Sequence, residues 1–216
     1  PMTDTWMGDD FFHQGAFRMS YGLEYSYLVE ANKSNSEFDV GVYDMYDWYL
    51  RQGRLEQITA TMGNKLPSWR TFIEHPTYDA FWQAKAVDRV WTKTNVPTLT
   101  VGGFWDQEDF FGPLAIYKAL EANDARALNR IVIGPWNHGQ WQNGDGGSLD
   151  AVNFKSPAGR YFREKIQAPF FAFYLKDKGT LTVGEATVFE SGANVWRTYT
   201  NWPAKEATTK SLYLQP

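Results

Sequence analysis

The spacing of apolar residues divides the chain into regions with different predicted structures. Between residues 21 and 92, apolar residues recur three and four positions apart, in the stretches YGLEYSYLVEAN, VYDMYDWYLRQGRLEQITATM and TYDAFWQAKAVDRVWTKT. This spacing is that of amphipathic helices. The helix breakers Gly63, Pro67 and Pro76 lie between the stretches. We therefore expect this region to be mainly helical.

Residues 93–179 show the alternation of strands and helices that is typical of an α/β unit. The stretches VPTLTVGGF (96–104) and NRIVIGPW (129–136) are short apolar runs that suit buried strands. Between them, GPLAIYKALEAND begins with Pro113 and continues as an amphipathic helix. Two strands joined by one helix predict a βαβ unit with parallel strands. A long aromatic helix over residues 158–176 is expected to follow.

The two ends of the chain have other patterns. The first segment, Pro1 to Arg18, predicts a loop that leads into a short helix, with Asp9 or Asp10 as its N-cap. After Gly179, the segments GEATVFES, VWRTYTNWP and KSLYLQ alternate apolar and polar residues, as half-buried antiparallel strands do. A few such strands are marginally stable alone, and the chain opens without an initiator Met or a charged leader. We therefore interpret it as a piece of a longer protein, in which a β domain begins at residue 180.

Composition narrows the possible functions. The 216 residues carry a net charge of −4 and no basic run, which argues against a nucleic-acid partner. The absence of cysteine excludes disulfides, thiolate nucleophiles and cysteine-based metal sites. The longest apolar stretches are far shorter than the ~20 residues that span a bilayer, so no membrane partner is expected. Aromatic residues make up 17%, and we expect some of them to line a pocket.

A titratable residue follows each of the two predicted parallel strands. Asp106 lies just past the first strand, in VGGFWDQED, and His138 just past the second, in VIGPWNHG. Functional groups of open α/β sheets gather beyond the carboxyl ends of parallel strands, so these side chains should lie side by side. A carboxylate bonded to an imidazole orients it as a general base for a nucleophile. Alternatively, each residue is a loop residue or a helix cap.

The remaining polar clusters are weaker candidates for a functional site. Asp9, Asp10 and His13 could in principle bind a divalent cation, but a metal needs more ligands and supporting hydrogen bonds. We therefore expect no metal and no cofactor, and we interpret His13 as a packed or pocket-lining residue.

Two further groups of polar residues have structural interpretations. Glu108 and Asp109 could compete with Asp106 for the acid role, or serve the N-terminus of the following helix. His75, which precedes Pro76, is expected to end a helix.

Four sequence blocks point to a family. They are, in order, WMGDDFFHQGAF (6–17), HPTYDAFW (75–82), GGFWDQEDFFG (102–112) and GPWNHG (134–139). Together they resemble the α-amino acid ester hydrolases of the cocaine esterase/Xaa-Pro dipeptidyl-peptidase (peptidase S15) family, which includes glutaryl-7-aminocephalosporanic acid acylases. The resemblance implies the C-terminal part of an α/β-hydrolase sheet over residues 93–179, preceded by a core segment (1–20) and a helical cap (21–92). It also implies that residues 180–216 begin a C-terminal β-sandwich of the jelly-roll type.

The resemblance also implies site residues. Asp106 and His138 match the acid and the base of the family's Ser-His-Asp triad. The nucleophile lies in a G-x-S-Y-x-G frame ahead of the GDDF block, and no serine of this sequence lies in a G-x-S-x-G frame. We therefore expect these 216 residues alone to be inactive. Asp79, in YDAFW, matches a carboxylate that binds the α-ammonium group of the substrate; its alternative role is the N-cap of a helix.

Several functions remain open on the sequence alone. The resemblance favours a small ester or amide substrate, including α-amino acid esters and β-lactam acyl groups, and a homo-oligomer that is periplasmic or secreted. Within the same family, a dipeptidyl-peptidase or a cocaine esterase-like hydrolase is the alternative. Outside it, a non-enzymatic module that binds carbohydrate or peptide would use the aromatic residues as its surface, with the Asp–His pair only structural.

Overall fold

The structure, a computed structural model, describes residues 3–8, 10–35, 37–62 and 65–214. The chain divides into two units, Met2–Val90 and Trp91–Pro216. The first is built from helices and a short hairpin, and the second is built around a sheet.

The first unit begins with an antiparallel hairpin and continues as a series of helices. The elements are, in order, β1 (Phe12–His13), β2 (Ala16–Phe17), α1 (Met19–Glu30), α2 (Met45–Gln52), α3 (Leu55–Met62), α4 (Pro67–Glu74), α5 (Ala80–Gln83) and α6 (Val87–Val90). The second predicted helical stretch is broken at Gly53, which has φ 70° and ends α2. The third forms only the short helices α5 and α6. The region is thus helical as predicted, in shorter pieces.

The hairpin replaces the short helix that was expected near the start of the chain. The first helix, α1, begins at Met19 and has Arg18 at its N-cap position. The predicted N-cap at Asp10 is therefore wrong: its Oδ1 instead accepts a hydrogen bond from the Tyr21 hydroxyl at 3.2 Å. Asp9 lies outside the described residues.

Two apolar clusters hold the first unit together. One joins Leu23 of α1, Ile58 of α3 and Trp69 of α4 with Leu66, and the Trp69 indole N–H donates to Thr59 Oγ1 at 3.0 Å. The other consists of Phe12, Phe72 and Trp82. Burying a side chain of this size stabilises the fold by about 1.5–3 kcal/mol. Many of the aromatic residues thus serve the core of this unit.

The second unit contains a four-stranded sheet in the order β3-β4-β7-β8. Its elements are β3 (Thr98–Gly103), α7 (Phe111–Glu121), β4 (Asn129–Gly134), the hairpin β5 (Ser148–Leu149) and β6 (Val152–Asn153), the helices α8 (Ala158–Tyr161) and α9 (Ala168–Lys176), β7 (Ala186–Glu190) and β8 (Val195–Tyr199). The predicted βαβ unit is confirmed: β3 pairs in parallel with β4, and α7 connects them.

Strand β7 corrects the domain boundary that was predicted at residue 180. It pairs in parallel with β4, so it extends the α/β sheet instead of starting a separate β domain, and β8 joins it antiparallel. The alternation in its sequence was misleading because Thr187 is buried, only 5% exposed, in a strand whose first four residues are all buried. Continuous burial is typical of parallel strands covered on both faces. Of the predicted last strand, KSLYLQ, the described residues 210–214 form no strand.

The predicted helix over residues 158–176 is confirmed, but its middle is a π-helix. This segment, Phe162–Gln167, lies between α8 and α9, and the Ala168 N–H bonds to the Arg163 carbonyl five residues earlier. Pro169 gives a physical reason, since it has no N–H and its ring would clash with the carbonyl of Lys165 in a regular α-helix. Among the described residues, no helix combines the length and apolar content needed to cross a bilayer.

The side chain of Trp136 occupies the centre of the core below the sheet edge. It is fully buried and packs with Phe162 and Trp196 at ring distances of 5.5 and 5.7 Å. A Cβ on Gly134 would lie 2.4 Å from the Trp136 ring, and one on Gly103 would lie 2.2 Å from its carbonyl oxygen. Gly134 must therefore be glycine for the ring to fit, and Gly103 must be glycine for the Trp136 backbone to approach. The chain just before His138 is thus fixed in the core.

Candidate active site

Asp106 and His138 meet at the carboxyl ends of neighbouring strands. The last residues of β3 and β4, Gly103 and Gly134, are register partners, and each strand leads directly into the loop that carries one of the two side chains. His138 Nδ1 lies 3.1 Å from Asp106 Oδ2 and 3.3 Å from Oδ1. The structure thus brings together the two residues that the sequence placed at this edge.

Local hydrogen bonds fix the Asp106 carboxylate. Its Oδ1 accepts the backbone N–H groups of Glu108 at 2.9 Å and Asp109 at 3.0 Å, an arrangement that aspartate commonly makes in turns. The side chain is only 2% exposed, and these donors offset its lost hydration. Because Oδ2 faces His138, the imidazole can donate from Nδ1 and keep Nε2 free as a base.

The imidazole of His138 is held by its backbone while its ring stays accessible. Gly139 follows it with φ 70°, a left-handed conformation that suits glycine, and begins a 3₁₀ turn over Gln140–Gln142. The Gln140 side chain accepts from the Asn137 N–H at 3.2 Å and donates to the Ser148 carbonyl at 2.7 Å. The His138 side chain is 53% exposed, so a reacting group can reach it.

Asp109 is a further acidic group at this site, and the sequence suggested it only as a competitor of Asp106. Its side chain is 14% exposed, and its Oδ2 lies 3.7 Å from His138 Nδ1. Its Oδ1 is buried and has no hydrogen-bond partner among the described residues. Burial raises the pKa of Asp109, and the neighbouring Asp106 charge adds to this effect. Its position three residues after Asp106 was visible in the sequence, but its burial was not.

Within the part of the chain that the structure describes, Asp106, Asp109 and His138 form a group that could hold a metal ion. Each offers one ligand atom, and these atoms lie within 4.8 Å of one another. Three ligands fall short of a closed tetrahedral or octahedral set, and the Asp106–His138 hydrogen bond already uses two of them. The weaker metal candidate at the start of the chain includes Asp9, which lies outside the described residues. His13 of the same cluster was expected to be a packed or pocket-lining residue, and the structure shows it exposed.

A cavity of about 440 Å³ opens beside the Asp106–His138 pair. Residues 98–101 of β3 line one side, and Trp141 and Gln142 of the loop after His138 line the other. Strand β3 has a single neighbour, β4, among the described strands, so the cavity lies along an unpaired edge of the sheet. The Asp106–His138 pair therefore borders a cavity on the unpaired side of β3.

Asp79 lies in the first unit and caps a helix. Its Oδ1 accepts the backbone N–H groups of Phe81 at 3.0 Å and Trp82 at 3.4 Å, at the start of α5. Its Oδ2 lies 2.7 Å from His75 Nδ1, and this hydrogen bond lowers the pKa of Asp79. His75 is the C-cap of α4, as expected for the residue before Pro76. The alternative role of Asp79 as an N-cap is therefore realised in the structure.

A parallel sheet whose neighbouring strand ends carry an acid and then a histidine is the arrangement of α/β hydrolases. The sequence model of the X-Pro dipeptidyl-peptidase (S15) family matches residues 1–140. The chain therefore belongs to this family.

Individual relatives agree with the family assignment. The cocaine esterase of Rhodococcus sp. (strain MB1 Bresler) is 27% identical over 147 residues, which cover 66% of this chain and 24% of the esterase. An aminopeptidase from the marine sediment archaeon Thaumarchaeota archaeon is 41% identical, with a TM-score of 0.89 over 95% of this chain and 34% of its own. An α-amino acid ester hydrolase is 37% identical, with a TM-score of 0.84 over 94% of this chain and 34% of its own. The chain thus spans between 24% and 34% of the length of these relatives.

Proposed function

We propose that the protein to which this chain belongs is a serine hydrolase that cleaves or transfers acyl groups of small esters and amides. Asp106 and His138 supply two members of its Ser-His-Asp triad. The observation that carries this proposal is the 3.1 Å contact between His138 Nδ1 and the buried Asp106 carboxylate at adjacent strand ends. Membership of a peptidase family and similarity to an esterase support the same class of reaction.

In the proposed reaction, each of the two side chains has its own step. With Nδ1–H donated to Asp106, His138 Nε2 accepts the proton of the serine hydroxyl while its oxygen bonds to the acyl carbon. The same proton then passes to the leaving alcohol or amine as the C–O or C–N bond breaks. Water then attacks the acyl-enzyme through the same two proton transfers, and this releases the acid and restores the serine. Asp106 stabilises the imidazolium that exists between these transfers.

The serine is taken to come from a part of the protein outside these residues. No serine of the 216 residues lies in a G-x-S-x-G frame. The cavity along the unpaired edge of β3 offers a route by which a nucleophile and oxyanion donors from a neighbouring strand would reach His138. The start of a jelly-roll domain, which the family resemblance implied for residues 180–216, is not formed by β7 and β8, because both belong to the sheet.

For the substrate, we propose α-amino acid esters and related amides, whose α-ammonium group needs a carboxylate to offset its desolvation. Asp79 is the residue that the family resemblance suggests, and its side chain is 37% exposed although both oxygens already have partners. We propose Asp109 as a second candidate, because its buried Oδ1 has no hydrogen-bond partner among the described residues and its Oδ2 lies beside His138. The archaeal aminopeptidase favours peptides with a free amino group as the alternative substrate.

The decisive experiment replaces His138 in the full-length protein. We expect His138→Ala to lower kcat/KM for p-nitrophenyl acetate by about 10³-fold or more, because the nucleophile loses its base. His75→Ala is a matched control, since it removes another imidazole that contacts an aspartate, and it should leave turnover of this neutral ester nearly unchanged. Activity of His138→Ala within tenfold of wild type would overturn the proposal and favour a non-enzymatic binding module.

A further inference from the structure

The loop that follows His138 is bound from the opposite side by a helix. Arg163 donates from Nη1 to the Trp141 carbonyl at 2.8 Å and from Nη2 to the Gly144 carbonyl at 2.5 Å. Close by, the backbone N–H groups of Gly159 and Arg160 donate to the Asp145 carbonyl at 2.8 and 3.3 Å. Three carbonyl groups of one loop are thus held by the start of the helical run over residues 158–176.

The chemistry of this contact suits arginine. The guanidinium is planar and presents several N–H donors in a fixed fork, so that one side chain can bridge two carbonyl groups, whereas a lysine ammonium is a compact point charge. The Trp141 carbonyl lies in the 3₁₀ turn over Gln140–Gln142, near its carboxyl end, where carbonyl groups lack partners and a cation is favourable. Arg163 therefore caps the turn that begins directly after His138.

Arg163 lies within the π-helix. Arg163 is the second residue of the π segment, and its own carbonyl accepts the Ala168 N–H. Pro169 excludes the regular α-helical bond at this point, so the wider turn is set by the sequence. Single π-helical turns occur frequently at functional sites. The segment thus has a local cause and a contact that reaches the candidate active site.

The position of the imidazole depends on this loop. Before His138, the chain is fixed by Trp136, which is fully buried and accepts the Trp105 N–H at its carbonyl, 3.0 Å away. After it, the Gln142 N–H bonds to the Gly139 carbonyl at 3.0 Å, and Arg163 holds the end of this turn. Because the His138 side chain is 53% exposed, packing alone does not set its position.

We propose that Arg163 is a positioning residue for His138: it fixes the backbone after the histidine, so that the imidazole keeps its contact with Asp106. This inference rests on the proposed role of His138 as the base. Arg163 itself touches neither the imidazole nor the carboxylate and acts through the two carbonyl groups. A displacement of about 1 Å at a catalytic group is enough to lower a rate about 10²-fold.

The test compares three variants of the full-length protein in the hydrolysis of p-nitrophenyl acetate. Arg163→Met should lower kcat per folded enzyme about tenfold or more while KM changes by less than about threefold, because binding is retained and orientation is lost. Arg163→Lys should recover part of kcat. Arg160→Met is the matched control on the same helical run, where the guanidinium lies 3.5 Å from the exposed Asp145 carboxylate, and it should stay within about twofold.

A second measurement does not depend on turnover. The Nδ1 proton that His138 shares with Asp106 should give a downfield proton resonance, assigned by its loss in His138→Gln. We expect this signal to broaden or move in Arg163→Met and to remain in Arg160→Met. If His138→Ala stays active while the signal responds to Arg163→Met, the proposed function fails and the positioning role stands. A signal that is unchanged in Arg163→Met would overturn the positioning role. This holds whether activity is kept or falls only because less of the protein is folded.

Discussion

The two units of the chain each contain a histidine–aspartate pair, and the pair with the shorter contact is the one that the fold explains without catalysis. His75 and Asp79 lie 2.7 Å apart, and their side chains are 30% and 37% exposed. His138 and Asp106 lie 3.1 Å apart, with the carboxylate only 2% exposed. The first pair joins the end of α4 to the start of α5. The second faces a cavity at a sheet edge. Contact length alone therefore does not separate a pair that caps a helix from a pair at the candidate active site.

The difference lies in what each aspartate does besides contacting histidine. Asp79 uses its other oxygen to cap α5, so its position follows from four residues of local sequence. Asp106 is anchored by its own turn and meets a histidine brought by a second strand. A local pair can form wherever a helix begins close to an imidazole. A pair across two parallel strands requires the whole sheet, and such strand ends are where α/β proteins place their chemistry.

The largest expected effect comes from replacing each aspartate by asparagine in the full-length protein. Asp106→Asn should lower kcat for p-nitrophenyl acetate by about 10³–10⁴-fold, because the amide can no longer hold His138 in the required tautomer or stabilise its cation. Asp79→Asn should leave this neutral substrate nearly unaffected. Steady-state kinetics of both variants check the prediction. Equal effects of the two substitutions would remove the distinction between the pairs.

A smaller effect is expected in the binding of an α-ammonium group. Phenylalanine methyl ester and methyl 3-phenylpropionate differ only in this group, so the ratio of their KM values isolates it. Replacing the carboxylate that binds the ammonium should raise KM for the amino ester about tenfold and leave the neutral ester unchanged, as expected for loss of a charge-assisted hydrogen bond. Asp79→Asn and Asp109→Asn are the variants to compare. No change in either variant would exclude both residues from this role.

The pH dependence of that ratio distinguishes the two carboxylates within the wild-type protein. Burial raises the pKa of Asp109, so on lowering the pH it becomes a neutral acid early and would release the ammonium first. The hydrogen bond from His75 lowers the pKa of Asp79, so it would hold the ammonium to lower pH. A KM for the amino ester that rises while the pH is still above the ordinary carboxyl value of 3.8 therefore indicates Asp109, and a KM that stays constant over that range indicates Asp79.

The smallest expected effect concerns stability. Asp79→Ala should lower the thermal midpoint Tm by a few degrees through loss of the N-cap of α5, whereas Asn, an equally good N-cap, should lower it less. Part of the stability that Asp79 contributes depends on its charge, and this part follows its lowered pKa. It is fully present above the ordinary pKa of 3.8 and is lost as the pH falls through the lower pKa of the folded state. Thermal denaturation of both variants across this range measures the difference. A midpoint equal to wild type in Asp79→Ala would contradict the capping role.

The elements predicted from the sequence were those with strong local signals. The strands β3 and β4 are continuous apolar runs, and Asp106 and His138 could be found because each directly follows one of them. Strand β7 was placed in the wrong sheet because Thr187 is buried, and a polar residue in a buried strand has the same sequence pattern as a half-exposed one. The strand with which another strand pairs is set by packing between distant segments. Hydrophobic periodicity carries no information about this packing.

The candidate site could be predicted only in part, for the same reason. The role of Arg163 had no sequence signal, because its partners are backbone carbonyl groups that any residue would offer. The π-helix did have a sequence signal, which is Pro169 within an apolar helix. The sequence does not show, however, which groups the residues of this segment contact. For Asp79, two roles were considered, a carboxylate that binds the substrate and a helix N-cap. The hydrogen bonds from the backbone N–H groups of Phe81 and Trp82 establish the N-cap.

The indole of Trp136 also has a consequence for protein engineering. Saturation libraries aimed at substrate preference usually randomise everything close to the proposed catalytic base, yet a Cβ on Gly134 would collide with this ring and one on Gly103 with the Trp136 carbonyl oxygen. Substitutions there would be discarded as misfolded and waste diversity. Gly144, by contrast, has open space around it and a φ of 57°, so asparagine and aspartate, which tolerate this backbone conformation, are the replacements worth encoding.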